Sequence, residues 1–505
     1  MRKFFKTVAI VSIFSISEKF LGFLYRIYLS RTIGAEGIGL YQVALSVFGL
    51  LYTFCCSGVP VTVSRLMAKY NAQNQKERVQ KVITAGLCFT LLITIPVCAL
   101  FYIFGGRLSF LFADARSINI FLVILPGLVF TCVYSVLRGV FWGNKDFLPY
   151  SIIELLEEIC MIVVGIILIN FSQNVYQGAF RAGVAVLVSY ILSFSLAVAV
   201  FFIRKNKLKN PLSEFKPLIY SATPVTAMRT ASSLTSSLIS IILPFRLVSA
   251  GFTEAGAIKA FGSAMGQAMP ILTIPTTLIG SFTLVLIPEI SENFYNNRHY
   301  YLKRDVEKAI KLTSVLTLVF IPVFFVCGEE LGVLLFGEYE CGKYVTATSF
   351  LMIFMSLSSI STSMLNSMGL ETKTMLYYLL GGALMLLCIW FLPPLCGIYS
   401  LIIGFCFIYG LTTILNLILL NKNCKLKPTY KVFLLKACLT IIPSIFFGLM
   451  IEKILLSSLG TLLTLITCAI TIVAFNLLMF FGFGLITFKE VIEKIKRVFV
   501  KKKTA

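Results

Sequence analysis

The chain has 505 residues, of which 58% are apolar and only 13% are charged, and its mean hydropathy is +0.92. A soluble fold needs far more polar surface to cover its core, so this composition excludes a soluble protein. The net charge of +22 would suit a nucleic-acid partner, but the basic residues stand in short stretches between apolar runs, without an aromatic–basic pattern. We therefore expect no nucleic-acid partner and interpret the basic stretches as signals of membrane orientation.

Apolar runs of about 20 residues, long enough to cross a bilayer core, predict an all-α polytopic membrane protein with about 14 transmembrane helices. No small-residue cleavage site follows the first run, so we expect it to be retained as a span rather than removed as a signal peptide. The predicted spans begin near residues 7, 38, 82, 118, 150, 179, 217, 264, 310, 345, 375, 398, 433 and 460.

An even number of spans puts both termini on one side of the membrane. The termini and every second connection, including the one with Arg138 and Lys145, hold 33 Lys or Arg residues, against eight in the remaining connections. Because positively charged connections stay in the cytoplasm, we expect both termini to be cytoplasmic.

Short landmarks recur in the same order along the chain. Val59-Pro60 is echoed by Ile287-Pro288, and Lys207-Leu208-Lys209 returns as Lys425-Leu426-Lys427. These matches predict a duplicated six-span unit, and paired lobes of this kind are typical of transporters with a substrate site between the lobes near mid-membrane. The predicted domains are an N-terminal six-helix lobe over 1–210, a C-terminal six-helix lobe over 211–428, two additional transmembrane helices over 429–487 and a basic cytoplasmic tail over 488–505.

Charged side chains inside spans cost about 2.5–3.5 kcal/mol each on insertion scales, so they mark candidate functional positions. Arg26 and Arg31 belong to the first predicted span, and Arg229 and Arg246 belong to the seventh. The planar guanidinium meets two phosphate oxygens together, so these four arginines predict a cavity for an anionic head group such as pyrophosphate. The alternative is that Arg26 pairs with Glu18 while Arg31 and Arg246 extend to the membrane interface.

Three acidic residues, Glu154, Glu157 and Glu158, open the fifth span at spacings that put them close together on one helix face. We expect Glu18, Glu154 and Glu157 to be candidate ion-coupling residues that bind a cation or a proton. The alternative is that the acids of the fifth span are solvated at the inner interface.

Pro270 and Pro275 interrupt the eighth predicted span. A proline removes a helical hydrogen bond, and such a break is tolerated where the freed carbonyls face a cavity. We expect these two prolines to form a hinge, with ordinary kinked packing as the alternative.

The sequence contains no pattern typical of an enzyme. Residues 337–343, GEYECGK, resemble a phosphate-binding loop, but Tyr344 stands where that loop needs Ser or Thr. One His in the whole chain leaves little for a metal site, so we expect no catalytic residue, no metal and no cofactor. Cys327 and Cys341 flank one short loop, and we favour two free thiols over a disulfide between them.

Two stretches carry a resemblance to a known family. Gly34-Ala35-Glu36-Gly37 follows Arg31, and Arg138-Gly139-Val140-Phe141-Trp142-Gly143 leads to Pro149 and Glu157. These stretches resemble the stage V sporulation protein B family of the multidrug/oligosaccharidyl-lipid/polysaccharide exporter superfamily, and the resemblance covers nearly the whole chain. Glu158 departs from the family, where an amide is commoner at this position.

The resemblance implies a flippase that moves a lipid-linked cell-wall precursor to the outer leaflet by alternating access, in the bacterial plasma membrane and in the synthesis of spore cortex peptidoglycan. The first helix is also similar to that of lipid II flippases, in which two arginines are taken to bind the pyrophosphate. Arg31 matches by its spacing to Gly34-Ala35, and Arg26 is displaced by one residue. The implied partners are a polyprenyl-pyrophosphate-linked glycan and membrane lipid, with cell-wall synthesis enzymes as further candidates.

Two other functions remain open from the sequence. A cation-coupled drug antiporter of the same superfamily would centre its cavity on carboxylates, with Glu18 or Glu157 essential. A polysaccharide polymerase or ligase would need acid–base residues in large outer loops, and the connections here do not exceed about 20 residues.

Overall fold

The computed structural model describes residues 2–105, 107, 112–425, 429–456 and 461–485. All elements assigned in these ranges are helical, as a bilayer requires of a spanning chain that must satisfy its own backbone hydrogen bonds. The prediction of an all-α polytopic membrane protein is thereby confirmed. The predicted basic tail over 488–505 lies outside the described residues.

The chain divides into two compact units. The first comprises Met1–Gln267 together with Leu386–Ser400, and the second comprises Ala268–Met385 together with Leu401–Ala505. Compact packing does not measure internal symmetry, so the duplicated six-span lobes stay a prediction.

The first unit is built from nine long or medium helices, a π-helix and, in the later segment, one short α-helix followed by the 3₁₀-helix Gly397–Tyr399. They are α1 (Arg2–Cys56), α2 (Val59–Ala72), α3 (Lys76–Ile103), α4 (Arg116–Ile124), α5 (Gly127–Gly143), α6 (Phe147–Ile169), α7 (Val175–Ile203), α8 (Leu212–Ser249), α9 (Glu254–Phe261), the π-helix Gly262–Ala268, whose last residue opens the second unit, and α17 (Pro393–Cys396).

The remaining helices belong to the second unit, with α16 and α18 each crossing the boundary between the units. They are α10 (Met269–Leu272), α11 (Ile274–Tyr295), α12 (His299–Val326), α13 (Gly328–Phe336), α14 (Tyr339–Thr348), α15 (Met352–Ser367), α16 (Glu371–Phe391), α18 (Ser400–Phe405), α19 (Thr412–Cys424), α20 (Thr429–Leu439), α21 (Ile441–Leu456) and α22 (Thr461–Gly482).

Ten helical segments among the described residues are long and apolar enough to cross a membrane, or eleven if α4 and α5, which meet at 43°, form one span. One of the ten runs over 60 residues, Ile13–Ala72. At 1.5 Å per residue it is about 90 Å long, roughly three times the thickness of a bilayer core, so it holds more than one pass. The α6 helix is not among the ten and carries three glutamates. The count of fourteen stays a prediction.

The α1 helix is bent at Gly34, which separates the first two predicted spans. This residue has φ 67° and ψ −179°, a backbone conformation that side chains with a Cβ rarely adopt. The bend therefore divides α1 into two halves, and the first half carries Glu18, Arg26 and Arg31.

A buried carboxylate ties the start of α8 to two neighbouring helices. Glu214 is fully buried, and it accepts hydrogen bonds from the Tyr70 hydroxyl at 2.8 Å and from Arg78 Nε at 2.7 Å. The Arg78 guanidinium also lies 4.5 Å from the centre of the Tyr70 ring. Three helices, α2, α3 and α8, are thus joined at one ion pair whose acid has no access to water.

We expect Glu214→Ala to lower stability by about 1–3 kcal/mol, because the buried Tyr70 hydroxyl loses its acceptor and Arg78 loses its counter-charge. Thermal unfolding of the purified protein in detergent, followed by a thiol-reactive dye, measures this as a lower Tm. Glu77→Ala is the matched control, since Glu77 is exposed and pairs with Lys81 on the surface. Equal Tm values for both variants would contradict the proposed role of Glu214.

Candidate functional site

The first half of α1 packs against residues 262–267 of the π-helix, which belong to the first unit. Arg26 Nη1 donates a hydrogen bond to the carbonyl oxygen of Gly266 at 3.2 Å, and Gln267 Nε2 donates to Ser30 Oγ at 2.6 Å. Single π-helical turns are frequent at functional sites. The Arg26 guanidinium, near the middle of α1, is therefore bound by a backbone carbonyl, which carries no opposite charge.

The three acids of α6 face different neighbours. Arg138 Nη1 of α5 lies 2.8 Å from Glu154 Oε1, and both side chains are about one quarter exposed or less. The Arg138 guanidinium also lies 5.1 Å from the centre of the Trp142 ring. Glu157 interacts with Ser193 of α7.

Glu158 lies directly against the backbone of α1. A Cβ atom built on Gly22 would come within 2.8 Å of Glu158 Oε1, so the carboxylate occupies the space that any larger residue would fill. Glu158 interacts electrostatically with both Glu18 and Arg26. These contacts make one charged cluster of the first half of α1 and the first half of α6.

The charges of this cluster do not balance. Its carboxyl groups are Glu18, Glu154, Glu157 and Glu158, and its cationic groups are Arg26, Arg138 and the exposed Lys19 next to Glu18. An unpaired charge away from bulk water is costly, so the excess carboxyl groups hold protons or attract a cation. The arrangement can therefore exchange protons or cations while it presents a guanidinium to an anion.

Four residues predicted from the sequence as site residues, Glu18, Arg26, Glu154 and Glu157, lie in this one cluster. Arg138 belongs to it as well, although the sequence pattern indicates only a basic residue in a connection. The available signal was the short turn at residues 144–146, which keeps the end of α5 close to the start of α6 and so makes an ion pair between residues 138 and 154 feasible.

The other three predicted arginines lie elsewhere in the first unit. Arg31 is exposed on α1. Arg229 Nη1 of α8 donates to the Ser57 carbonyl oxygen at 2.9 Å, at the break between α1 and α2. Arg246 Nε donates to the Trp390 carbonyl oxygen at 2.7 Å, and its guanidinium lies 5.0 Å from the centre of the Trp390 ring. Arg26, Arg229 and Arg246 thus bind three different backbone carbonyls, although α1 and α8 pack against each other.

The helix that contains the two candidate hinge prolines is interrupted. The π-helix leads into α10, which contains Pro270, and Thr273 separates α10 from α11, in which Pro275 is the second residue. The chain passes from the first compact unit to the second at Gln267–Ala268, three residues before Pro270. The position suits a hinge, and the hinge role itself stays a prediction.

The described residues contain no group of three or more His, Cys, Asp or Glu side chains placed to hold a metal ion. Cys327 and Cys341, which flank α13 in the second unit, are both buried free thiols.

Comparisons with characterised proteins agree with this architecture. The chain is 27% identical over 405 residues to Stage V sporulation protein B of Bacillus subtilis (strain 168), which covers 75% of this chain and 77% of that protein. It is 25% identical over 353 residues to the Lipid II flippase MurJ of the same organism, with 62% of this chain and 61% of that protein covered.

Among solved structures, the lipid II flippase MurJ in an inward closed conformation matches 96% of this chain and 100% of its own, with a TM-score of 0.72 at 16% identity. An inward-facing multidrug resistance MATE family transporter of the MOP superfamily matches 82% of this chain and 97% of its own, with a TM-score of 0.67 at 15% identity. At these identities the two structures establish a shared fold.

The family model described as polysaccharide biosynthesis protein matches residues 4–294, which is more than half of the chain and includes α1 to α10 with most of α11. On this match, the multi-pass membrane protein described here belongs to the polysaccharide biosynthesis protein family.

Proposed function

We propose that this protein is a flippase that moves a lipid-linked cell-wall glycan precursor from the cytoplasmic to the outer leaflet, with a role in spore cortex peptidoglycan synthesis. The similarity to Stage V sporulation protein B and to a lipid II flippase supports this function. The substrate would be a polyprenyl-pyrophosphate-linked glycan, and transport rather than catalysis would be the activity.

The observation that carries the proposal is the position of Arg26. This arginine lies within α1 and gives one hydrogen bond to a backbone carbonyl. A guanidinium has five N–H donors, so a single carbonyl partner at 3.2 Å leaves capacity for phosphate oxygens. A permanently charged group is retained in a span at considerable cost, which favours a functional role over a purely structural one.

We assign the pyrophosphate to Arg26 and Arg31 on α1, with Arg229 and Arg246 on α8 as further contacts along the path of the head group. The polyprenyl tail would remain in the lipid. The interruption at Pro270 and Pro275 would absorb the bending as the protein alternates between inward-open and outward-open states. A membrane potential that is negative inside would drive the anionic head outward, by about 2.3 kcal/mol per charge per 100 mV.

A cation-coupled drug antiporter is the second candidate function. The specific observation in its favour is the excess of carboxyl groups in the cluster around Glu18 and Glu157, and the MATE-like fold is compatible with it. In this alternative the carboxylates would bind both the coupling ion and a cationic substrate, and the arginines would serve only to hold the helices.

Replacement of Arg26 or Arg31 by Ala is expected to reduce flipping of a fluorescent lipid II analogue in proteoliposomes. A lost charge-assisted hydrogen bond is worth about 1.5–3 kcal/mol, so we expect the rate at subsaturating substrate to fall by about tenfold or more. Accessibility of the fluorophore to an external quencher, followed with time, measures the rate.

Arg298→Ala is the matched control, because Arg298 is exposed and pairs with Glu292 at the surface of the second unit. Flipping unaffected in both α1 variants would refute the arginine site and leave the flippase function standing. Absence of flipping by the unaltered protein would refute the flippase itself.

Glu18→Gln separates the two candidate functions. For a flippase based on Arg26, we expect this variant to keep at least half of the lipid II flipping rate, because Glu18 repels rather than binds the phosphate. For an antiporter, loss of the carboxylate would abolish cation-driven efflux of a fluorescent cationic drug from the same vesicles. Drug efflux that is present in the unaltered protein and absent in Glu18→Gln would favour the antiporter.

We also propose that both termini lie in the cytoplasm, from the distribution of Lys and Arg in the connections. A green fluorescent protein fused after Ala505 should therefore fluoresce, while an alkaline phosphatase fused at the same place should be inactive. The opposite pair of results would reverse the orientation. Fusions after Lys209 and after Gly251, in two successive connections, provide the internal comparison.

A further inference from the structure

The carboxylate of Glu158, a residue of α6, lies against α1 in a space that is open because residue 22 is a glycine. The ideal Cβ of Gly22 would stand 2.8 Å from Glu158 Oε1, closer than side-chain atoms normally approach. The carboxylate therefore touches the backbone surface of α1, rather than extending past it towards solvent.

The neighbours of Gly22 on the same face of α1 carry opposite charges. Residues four apart on a helix lie one above the other, so Glu18 lies one turn before Gly22 and Arg26 one turn after it. Glu158 is repelled by Glu18 and attracted by Arg26. Ionised Glu158 thus offsets the charge of Arg26, and its own ionisation is opposed by Glu18.

Arg26 and Glu158 do not form a close ion pair. Over the described part of the chain, the hydrogen bond that Arg26 makes is the one to Gly266, and no carboxylate oxygen lies within 4 Å of its guanidinium nitrogens. Glu158 is therefore close enough to interact electrostatically with Arg26, but it accepts no hydrogen bond from the Arg26 guanidinium. An anion that arrives at Arg26 meets available N–H groups and a repulsive carboxylate beside them.

Four other titratable groups interact with Glu158, and none of them is a cation. One is an acid, which repels the negative charge of Glu158, and three are tyrosines, which are neutral near pH 7. The four are Tyr25 and Tyr41 of α1, Glu157 of its own helix α6, and Tyr190 of α7. Arg138 of α5 is engaged by Glu154. Arg26 is thus the cation whose interaction stabilises ionised Glu158, and a phosphate on Arg26 would remove that stabilisation.

We propose that Glu158 is an internal competitor of the substrate's phosphate for Arg26, so that binding of an anionic head group is linked to the uptake of a proton by Glu158. This inference rests on the proposed function, which supplies the anion. It adds the residue that makes binding depend on pH. Linkage requires that the affinity for the anion increases as the pH falls.

The test is the pH dependence of lipid II binding to the full-length protein in detergent micelles, with a fluorescent lipid II whose pyrophosphate diester keeps its charge between about pH 6 and pH 8. For the unaltered protein, we expect the dissociation constant to rise about tenfold across this range, as one linked proton allows. For Glu158→Gln, we expect a dissociation constant that is nearly independent of pH and close to the low-pH value of the unaltered protein.

Glu77→Gln is the matched control, since Glu77 is an exposed acid of α3 that pairs with Lys81 on the surface and lies outside the charged cluster. It should retain the pH dependence of the unaltered protein. Gly22→Ala tests the same role of Glu158 without changing that residue, because the added methyl group displaces the Glu158 carboxylate from α1. We expect it to reduce the pH dependence even if Glu158→Gln fails to fold.

A pH dependence that survives in both Glu158→Gln and Gly22→Ala would overturn the inference, as would pH-independent binding by the unaltered protein. In both of these cases, binding that is lost on Arg26→Ala would leave the proposed function intact. No binding of lipid II by the unaltered protein at any pH would overturn the proposed function together with the inference.

Discussion

Ionised side chains within membrane-spanning helices persist only where another group replaces the hydration that they have lost, whether an opposite charge, a backbone carbonyl or trapped water. The first unit meets this requirement in three different ways. Arg138 has a carboxylate, Arg26 has the Gly266 carbonyl, and Arg246 has a carbonyl and the face of an indole. Of these three arginines, Arg26 is the one that combines a neutral partner with nearby acids that it does not bind, and the proposed chemistry follows from that difference.

Much of the fold could be predicted from the sequence, because apolar length and the positions of basic connections are local properties of the chain. The helical class and most span positions follow from them. The bend at Gly34, the 43° angle between α4 and α5 and the π-helical turn before Pro270 do not. Each depends on backbone angles that are set by neighbouring helices, and a glycine or proline in the sequence marks only where such a departure is permitted.

The site was predictable in its residue types and less so in its pairings. Charges inside apolar runs identified Glu18, Arg26, Glu154 and Glu157, since each is too costly to keep without a use. The packing of α5, α6 and α1 determines two contacts that the sequence does not predict. They are the ion pair between Arg138 and Glu154 and the contact of Glu158 with Gly22. A glycine four positions from both an acid and a base is only a weak sequence signal for such a contact. The contact can be predicted only when the facing helix is known.

The flippase and the antiporter differ in the sign of the charge that they carry, and the cluster on α1 and α6 bears on both. Its four carboxyl groups outnumber its three cationic groups, so it becomes neutral when a proton or a monovalent cation is bound. An anionic substrate on Arg26 increases that deficit of positive charge, and electrostatics then requires an accompanying proton or cation. Phosphate recognition and cation coupling are therefore compatible uses of this cluster, because they depend on different carboxylates: Glu18 and Glu157 would serve an antiporter, and Glu158 would make anion binding sensitive to protons.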